Sequence, residues 1–223
     1  MNAAANNQFL THTYSQSPQS PQSDKAIIGL HGWTGDEHAF EPLARSIKTS
    51  NVKWFFPRAP YNADIGVGYS WFSGSEEEGW QVEKTMQGMD GLFKTIQDEG
   101  FELQNIYLVG FSQGACLAME YALRLPYPIG GIVPIAGFIK WINKLESEAT
   151  DASKQTPALL LHGEKDEIIF SKASIKAYEF LKKRGNPVYL ELYDAPHEIP
   201  LKKSPIIRNF ISDSFNFIES KVL

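Results

Sequence analysis

A serine held between two glycines, at a junction of strand and helix, is the feature that most constrains the fold of this chain. The motif Gly110-x-Ser112-x-Gly114 follows the β-rich apolar run 106–109 and precedes the helix-forming run 115–125. In a nucleophile elbow the serine takes strained backbone angles, and the glycines let strand and helix pass closely. A glycine-rich turn with a capping serine would show the same local pattern. The rest of the chain must therefore decide between these two interpretations.

Strands and helices alternate along the chain, which predicts a mostly parallel sheet with helices on both faces. We assign residues 1–24 to an N-terminal segment with a possible edge strand and a Ser/Gln/Pro-rich loop, and residues 25–223 to one α/β domain. The other runs that we interpret as strands are 25–30, 52–56, 130–135, 156–161 and 187–193. The runs that we interpret as helices are 41–49, 82–96, 171–184 and 205–220.

Composition excludes several classes of protein. The chain has 223 residues, 21 Lys and Arg against 26 Asp and Glu, and no dense basic run, so nucleic acid is not an expected partner. No secretory signal or membrane-spanning run is visible, and we expect cytoplasmic residence without stable membrane insertion. The single cysteine, Cys116, is expected to be a small buried hydrophobe. We expect a monomer or homodimer that needs no metal and no cofactor.

A serine hydroxyl needs a base within hydrogen-bonding reach before it can act as a nucleophile. His197 is the best candidate, because it follows the last predicted strand and precedes the last predicted helix. His31 belongs to a His-Gly turn whose backbone is the more useful part, and His162 is expected to shape a loop. His12 and His38 do not follow a core strand.

The base in turn needs an acid, which usually comes between the serine and the histidine in the chain. Asp166 is favoured over Glu164 and Glu167, because a short aspartate side chain after a His-Gly turn can face inward. Asp194, close to His197 in sequence, stays open as a rival. Each carboxylate alone would be interpreted as a solvated loop charge.

The tetrahedral intermediate needs backbone N–H donors for its oxyanion. We expect one from Gln113, directly after the serine, and one from Trp33, with Thr34 as the alternative. The long irregular segment 57–79 is rich in aromatic residues and predicts a wall of the binding site, although these rings could merely cover the core. Its acidic run 76–78 is expected to start a solvated helix. The residues that we expect around the substrate are Trp33, Tyr69, Trp71, Phe72, Phe138, Trp141 and Ile168.

An ordered set of short motifs resembles the phospholipase/carboxylesterase family of α/β-hydrolases, which includes the acyl-protein thioesterases. The motifs are Leu30-His31-Gly32, Pro57-x-Ala59-Pro60, Trp71-Phe72, Gly110-Phe111-Ser112-Gln113-Gly114, His162-Gly163-x-x-Asp166 and His197. The similarity runs from about Lys25 to the C-terminus. It implies an α/β-hydrolase fold with a minimal cap domain or none, and the triad Ser112, Asp166 and His197.

The resemblance also implies hydrolysis of small carboxylic esters or thioesters with short to medium acyl chains. A lysophospholipase or acyl thioesterase acting on long chains, and a ligand-binding module without turnover, are the alternatives. Where family members commonly have His-Gly-Leu-Gly-Asp, this chain has His31-Gly32-Trp33-Thr34-Gly35-Asp36, which is one residue longer. An indole therefore stands where the family has leucine, next to the expected acyl pocket.

Overall fold

A computed structural model describes residues 11–15, 24–49 and 51–222 of the chain. The strands are β1 (Thr11–Ser15), β2 (Lys25–Leu30), β3 (Val52–Pro57), β4 (Tyr61–Asn62), β5 (Tyr69–Ser70), β6 (Ser73–Ser75), β7 (Gly79–Gln81), β8 (Ile106–Phe111), β9 (Gly131–Ile135), β10 (Ala158–Gly163) and β11 (Val188–Tyr193). The helices are α1 (Glu41–Ile47), α2 (Glu83–Asp98), α3 (Gln113–Ala122), α4 (Ile142–Glu148), α5 (Lys172–Arg184), α6 (Ser204–Ser212) and α7 (Ser214–Val222). Short 3₁₀ turns lie at Leu103–Asn105, Ala152–Gln155 and Leu201–Lys203.

The central sheet of the described residues has seven strands in the order β1-β3-β2-β8-β9-β10-β11. β1 is antiparallel to β3 at one edge, whereas the remaining neighbours are parallel. This arrangement confirms the predicted mostly parallel sheet. The expected edge strand lies within the N-terminal segment as β1, while the Ser/Gln/Pro-rich loop lies outside the described residues. The carboxyl ends of β2, β8 and β10 share one edge of the sheet, which is where an open α/β sheet binds its ligands.

Helices cover both faces of the sheet because successive strand residues point to opposite sides. Along β2, Ile27 packs into a core with α1, α6 and α7, whereas its neighbour Ile28 packs into a core with α2, α3 and α5. Buried residues such as Leu92 and Leu117 fill the second core, each contributing roughly 2 kcal/mol by leaving water. The sheet is thereby fixed from both sides, and its edge can hold a site rigidly.

The segment between β3 and α2 contains two small antiparallel ribbons, β4–β5 and β6–β7. The acidic run 76–78 lies in the turn of the β6–β7 ribbon, so the predicted helix start there is wrong. Gly74 and Gly79, on either side of the turn, have φ of +99° and +86°. A Cβ on Gly74 would also lie 2.2 Å from the Gly79 carbonyl oxygen. Two glycines in the left-handed region favour a hairpin over a helix.

The C-terminal region forms two helices where the sequence predicts one over 205–220. The break is at Asp213, which has extended backbone angles (φ −156°, ψ 95°) and whose carboxylate accepts a hydrogen bond from the Asn216 N–H at 3.1 Å. An aspartate in this position caps the next helix. The predicted partly helical flap over 136–156 corresponds to α4 and a 3₁₀ turn. Among the described residues, no helix combines the length and apolar character needed to cross a membrane.

Candidate active site

Ser112 occupies a strained turn between β8 and α3. Its backbone angles are φ 52° and ψ −114°, which a non-glycine residue rarely adopts. A Cβ on Gly114 would lie 2.0 Å from the Leu30 carbonyl oxygen, and one on Gly110 would lie 2.3 Å from the Gly114 oxygen. The Ser112 side chain makes no capping hydrogen bond to α3. The geometry is therefore that of a nucleophile elbow, and the capping interpretation does not hold.

Asp166 lies below the surface at the end of β10 and receives three hydrogen bonds. Its Oδ2 is 2.6 Å from Nδ1 of His197, and its Oδ1 accepts the N–H groups of Ile168 at 2.9 Å and Ile169 at 2.8 Å. Burial by itself would raise the pKa of Asp166, but the hydrogen bonds from His197 and the two N–H groups outweigh burial and lower the pKa. The carboxylate is thus held ionised and aimed at the imidazole.

The imidazole of His197 lies beside the elbow. Its ring centroid is 4.6 Å from that of Phe111, the residue directly before Ser112. With Nδ1 engaged by Asp166, the remaining ring nitrogen is Nε2. The rival acid, Asp194, is instead 72% exposed and pairs with Lys165 at 2.6 Å. The structure thus brings His197 and Asp166 together, and leaves Asp194 at the surface.

His162 and Ser174 support the Asp166 loop from beneath, a role that sequence reasoning found for His162 and missed for Ser174. Nε2 of His162 lies 2.7 Å from the Ile169 carbonyl oxygen and 3.3 Å from Asp166 Oδ2. Its Nδ1 lies 2.6 Å from Ser174 Oγ. Nearby, a Cβ on Gly163 would lie 2.2 Å from the Ala195 carbonyl oxygen. Gly163 thus lets the loop that carries Asp166 approach the loop that carries His197.

The loop after β2 faces the elbow and holds the predicted oxyanion donors. A Cβ on Gly32 would lie 3.5 Å from Ser112 Cβ, so this loop packs against the serine. The Thr34 N–H donates to the Tyr69 carbonyl oxygen at 3.0 Å and is therefore already used. No described residue accepts a hydrogen bond from the Trp33 N–H. Gln113 is the first residue of α3, so its N–H has no acceptor within the helix.

His31 fastens this loop to the segment that follows β3. Its Nδ1 donates to the Gly32 carbonyl oxygen at 2.7 Å and its Nε2 accepts the Ala59 N–H at 3.1 Å, which fixes one neutral tautomer. The His31 carbonyl oxygen accepts the indole N–H of Trp71 at 2.7 Å. Burial lowers the pKa of His31. The ring therefore acts as a neutral two-sided clamp.

A cavity of about 550 Å³ opens next to Ser112. Four of the seven predicted pocket residues line it, namely Trp33, Phe72, Phe138 and Ile168. The polar part of the wall was not predicted, because single serines and charged residues in a loop carry no sequence signal of their own. This part comprises Asn62, Asp64, Ser70, Ser73, Ser75, Glu78 and Lys140.

The other three predicted pocket residues lie elsewhere, which corrects that expectation. Trp71 is fully buried and its indole points to His31, so it covers the core. Tyr69 packs against the guanidinium of Arg58, 4.5 Å from the ring centroid. Trp141 lies behind the cavity wall, edge-on to Phe72 with ring centroids 5.2 Å apart. The sequence shows where these aromatic residues occur, but it does not show whether their side chains face the cavity or the core.

The side chain of Gln113 connects the elbow to the cavity wall. Its Oε1 accepts the Trp71 N–H at 2.8 Å, and its Nε2 donates to Ser70 Oγ at 2.9 Å. Ser70 Oγ in turn donates to the Phe72 carbonyl oxygen at 2.6 Å. Gln113, whose backbone N–H is a predicted oxyanion donor, thus also holds the opposite wall of the cavity through its side-chain amide.

The chain is similar to known proteins in both sequence and structure. A family model described as phospholipase/carboxylesterase matches residues 11–215, beginning earlier than the Lys25 expected from the motifs. The chain belongs to this family. Carboxylesterase SOBER1 of Arabidopsis thaliana is 28% identical over 83% of this chain and 88% of its own length. Acyl-protein thioesterase 1 of Kluyveromyces lactis is 31% identical over 70% of this chain and 76% of its own.

A solved structure extends the family likeness to the fold. The crystal structure of esterase PE8 has a TM-score of 0.81 at 25% identity, covering 92% of this chain and 98% of its own. The predicted α/β-hydrolase fold is confirmed. As a member of the phospholipase/carboxylesterase family, the protein is a serine hydrolase that acts on ester bonds.

Proposed function

We propose that this protein is a carboxylesterase that cleaves small esters of short to medium acyl chain through an acyl-enzyme at Ser112. The observation that carries the proposal is the position of His197. Its Nδ1 is 2.6 Å from Asp166 Oδ2, and its ring centroid is 4.6 Å from that of Phe111, the residue before the strained Ser112. A nucleophile, a base and an acid are thereby available at one edge of the sheet.

The reaction follows from these roles. His197 Nε2 takes the proton of the Ser112 hydroxyl as Oγ bonds to the acyl carbon, and Asp166 stabilises the imidazolium that forms. The Trp33 and Gln113 N–H groups hold the oxyanion. The imidazolium then protonates the leaving alcohol as the ester C–O bond breaks. Water, deprotonated by His197, releases the acyl group as a carboxylic acid and restores Ser112.

The cavity supports a small substrate with both apolar and polar parts. Its volume of about 550 Å³ falls within the range of small-molecule sites. Phe72, Phe138 and Ile168 offer an apolar surface, whereas Ser70 and Lys140 contribute polar groups to the same wall. A wall of this mixed character fits a short or medium acyl chain with a polar leaving group better than a long chain.

A second candidate, cleavage of long-chain esters or thioesters, is favoured by one observation. An apolar groove of about 530 Å³ adjoins the cavity and shares Phe138, Ile168 and Ile169 with it. The groove continues past Phe170, which is largely exposed. A long chain could extend along this groove. A ligand-binding module without turnover has less support, because the chain keeps Ser112, His197 and Asp166, the residues that we propose as nucleophile, base and acid.

A chain-length series tests the proposal. Nitrophenyl esters from acetyl to palmitoyl, with matched thioesters, should give the highest kcat/KM between butyryl and octanoyl. Ser112→Ala should remove the activity on every chain length. Rising kcat/KM up to palmitoyl would favour the long-chain candidate, in which case Phe170→Ser should depress only the long chains. Equal inactivity of wild type and Ser112→Ala would refute both.

A further inference from the structure

A cluster of two histidines and a glutamate lies away from the active site, where β1 meets the start of α1. One donor atom from each of His12, His38 and Glu41 lies within 4.8 Å of the other two. His12 Nε2 is 3.5 Å from Glu41 Oε1, and His38 Nδ1 is 2.7 Å from the same oxygen. Both imidazoles are accessible from solvent, and their ring centroids are 5.4 Å apart.

These separations suit a tetrahedral metal. Zinc bonds to imidazole nitrogen and carboxylate oxygen at about 2.0–2.1 Å, which puts neighbouring donor atoms about 3.3 Å apart. The His12–Glu41 separation of 3.5 Å already matches. The His38–Glu41 pair is a hydrogen bond at 2.7 Å and must open slightly as the metal replaces the shared proton. Two imidazoles with one carboxylate favour Zn²⁺ over Mg²⁺ or Ca²⁺, which prefer oxygen ligands.

Charged side chains lie next to two of the three donors. Arg45 holds the other oxygen of Glu41, with NH2 3.2 Å from Oε2, and leaves Oε1 facing the imidazoles. The second nitrogen of His38, Nε2, lies 3.8 Å from Glu37 Oε1. At 3.8 Å this is an ion-pair contact and not a hydrogen bond, so Glu37 adds negative charge near His38 without fixing its ring. Glu37 is itself fixed by Arg58.

We propose that His12, His38 and Glu41 bind one Zn²⁺, with water completing the coordination, and that the metal ties the edge strand β1 to the start of α1. Among the described strands, β1 lies at an edge of the sheet and pairs with β3 alone, so the metal would give this edge strand a second attachment. His12 and His38 are far apart in sequence and have no metal-binding spacing, so the sequence gives no signal for this site.

The test uses the full chain without a polyhistidine tag, stripped with a chelator and titrated with Zn²⁺ against a chromophoric competitor. Wild type should bind one Zn²⁺ tightly, and His12→Ala and Glu41→Gln should each bind at least ~10-fold more weakly. Asp98→Asn is the matched control, because it removes an exposed ion pair, with Lys94, on α2, which packs on the opposite face of the sheet from α1. This control should bind Zn²⁺ as wild type does.

Hydrogen exchange supplies a second readout that does not depend on catalysis. Zn²⁺ should slow amide exchange in 11–15 in wild type and leave it unchanged in His12→Ala. To exclude Zn²⁺ bound at the His197 imidazole, the titration is repeated with His197→Ala. Undiminished binding in His12→Ala, loss of binding in His197→Ala, or no stoichiometric binding by wild type would each overturn the proposal.

Discussion

The two walls of the candidate catalytic cavity are built in different ways. On the sheet side, Ser112 and Asp166 sit at strand ends where backbones pass so closely that an added Cβ on Gly114 or Gly163 would lie about 2 Å from a carbonyl oxygen. On the other side, the segment between β3 and α2 forms short ribbons held by side-chain hydrogen bonds, notably those of Gln113. One wall is fixed by backbone packing and the other by a few polar contacts.

This difference separates chemistry from specificity. The groups that we assign to bond cleavage come from β8, β10 and the loop after β11, whose positions the seven-stranded sheet determines. Much of the surface that would meet the substrate comes from the ribbons. Changes to the sheet side should therefore remove folding or turnover. Changes to the ribbon side should alter the choice of substrate and leave the nucleophile intact.

The largest expected effect is the loss of turnover when Asp166, the candidate acid, is replaced. Asp166→Asn keeps the shape of the side chain but no longer orients and stabilises the His197 imidazolium, so kcat should fall by about 10⁴-fold. Asp194→Asn, which removes only an exposed ion pair, should change kcat less than ~2-fold. Steady-state hydrolysis of a short nitrophenyl ester measures both. A larger loss of kcat in Asp194→Asn than in Asp166→Asn would identify Asp194 as the acid instead.

Next comes a pair of glycine substitutions that compares the two walls directly. In Gly114→Ala the new Cβ would meet the Leu30 carbonyl oxygen at 2.0 Å, and unfolding should become easier by about 3 kcal/mol or more. In Gly66→Ala, on the ribbon side, no heavy atom lies within 4 Å and the cost is the left-handed φ of +76°, about 1 kcal/mol. Urea denaturation gives both values. Equal losses of stability in the two variants would contradict the difference that we draw between the walls.

A smaller effect is expected from the contact that joins the walls. Gln113→Ala removes two hydrogen bonds to the ribbon side but keeps the backbone N–H at the elbow. At roughly 1 kcal/mol for each bond, the two bonds are worth about 2 kcal/mol, so kcat/KM should fall by up to about 30-fold, and the preferred acyl chain length should shift. The exposed Gln104→Ala is the control and should stay within ~2-fold. An unchanged chain-length profile would mean that the ribbon is held by other contacts.

The smallest effect concerns pH and the His31 clamp. Burial lowers the pKa of His31 in the folded protein, so below the unfolded value of about 6.5 the unfolded chain binds more protons. The free energy of unfolding should therefore decrease as pH falls below about 6.5, by up to ~1.4 kcal/mol per pH unit from this residue. The paired Asp166 acts at lower pH, below about 4. The midpoint of the NMR titration of the His31 ring should lie below about 6.5.

The sequence predicted the sheet side well for a physical reason. Strands such as 106–109 are buried on both faces and read as unbroken apolar runs, and the elbow needs glycines at fixed positions. The positions of Asp166 and His197 follow from strand ends in a parallel sheet. The assignment of catalytic roles to these residues stays a prediction.

The ribbon side was predicted less well, because its structure depends on tertiary contacts. Trp71 and Phe72 are adjacent in sequence, yet one indole bonds to His31 in the core while the other ring lines the cavity. The acidic run 76–78 has helix-forming residues, but Gly74 and Gly79 close it into a hairpin. The break at Asp213 was missed because the apolar periodicity continues across it.

Covalent labelling of Ser112 tests the central claim most directly. A fluorophosphonate should modify wild type on a single residue, which peptide mass spectrometry should identify as Ser112, and His197→Ala should react far more slowly. Gln113→Ala should still be labelled, since its elbow is intact. Modification of another serine, or labelling of His197→Ala at the wild-type rate, would contradict the account.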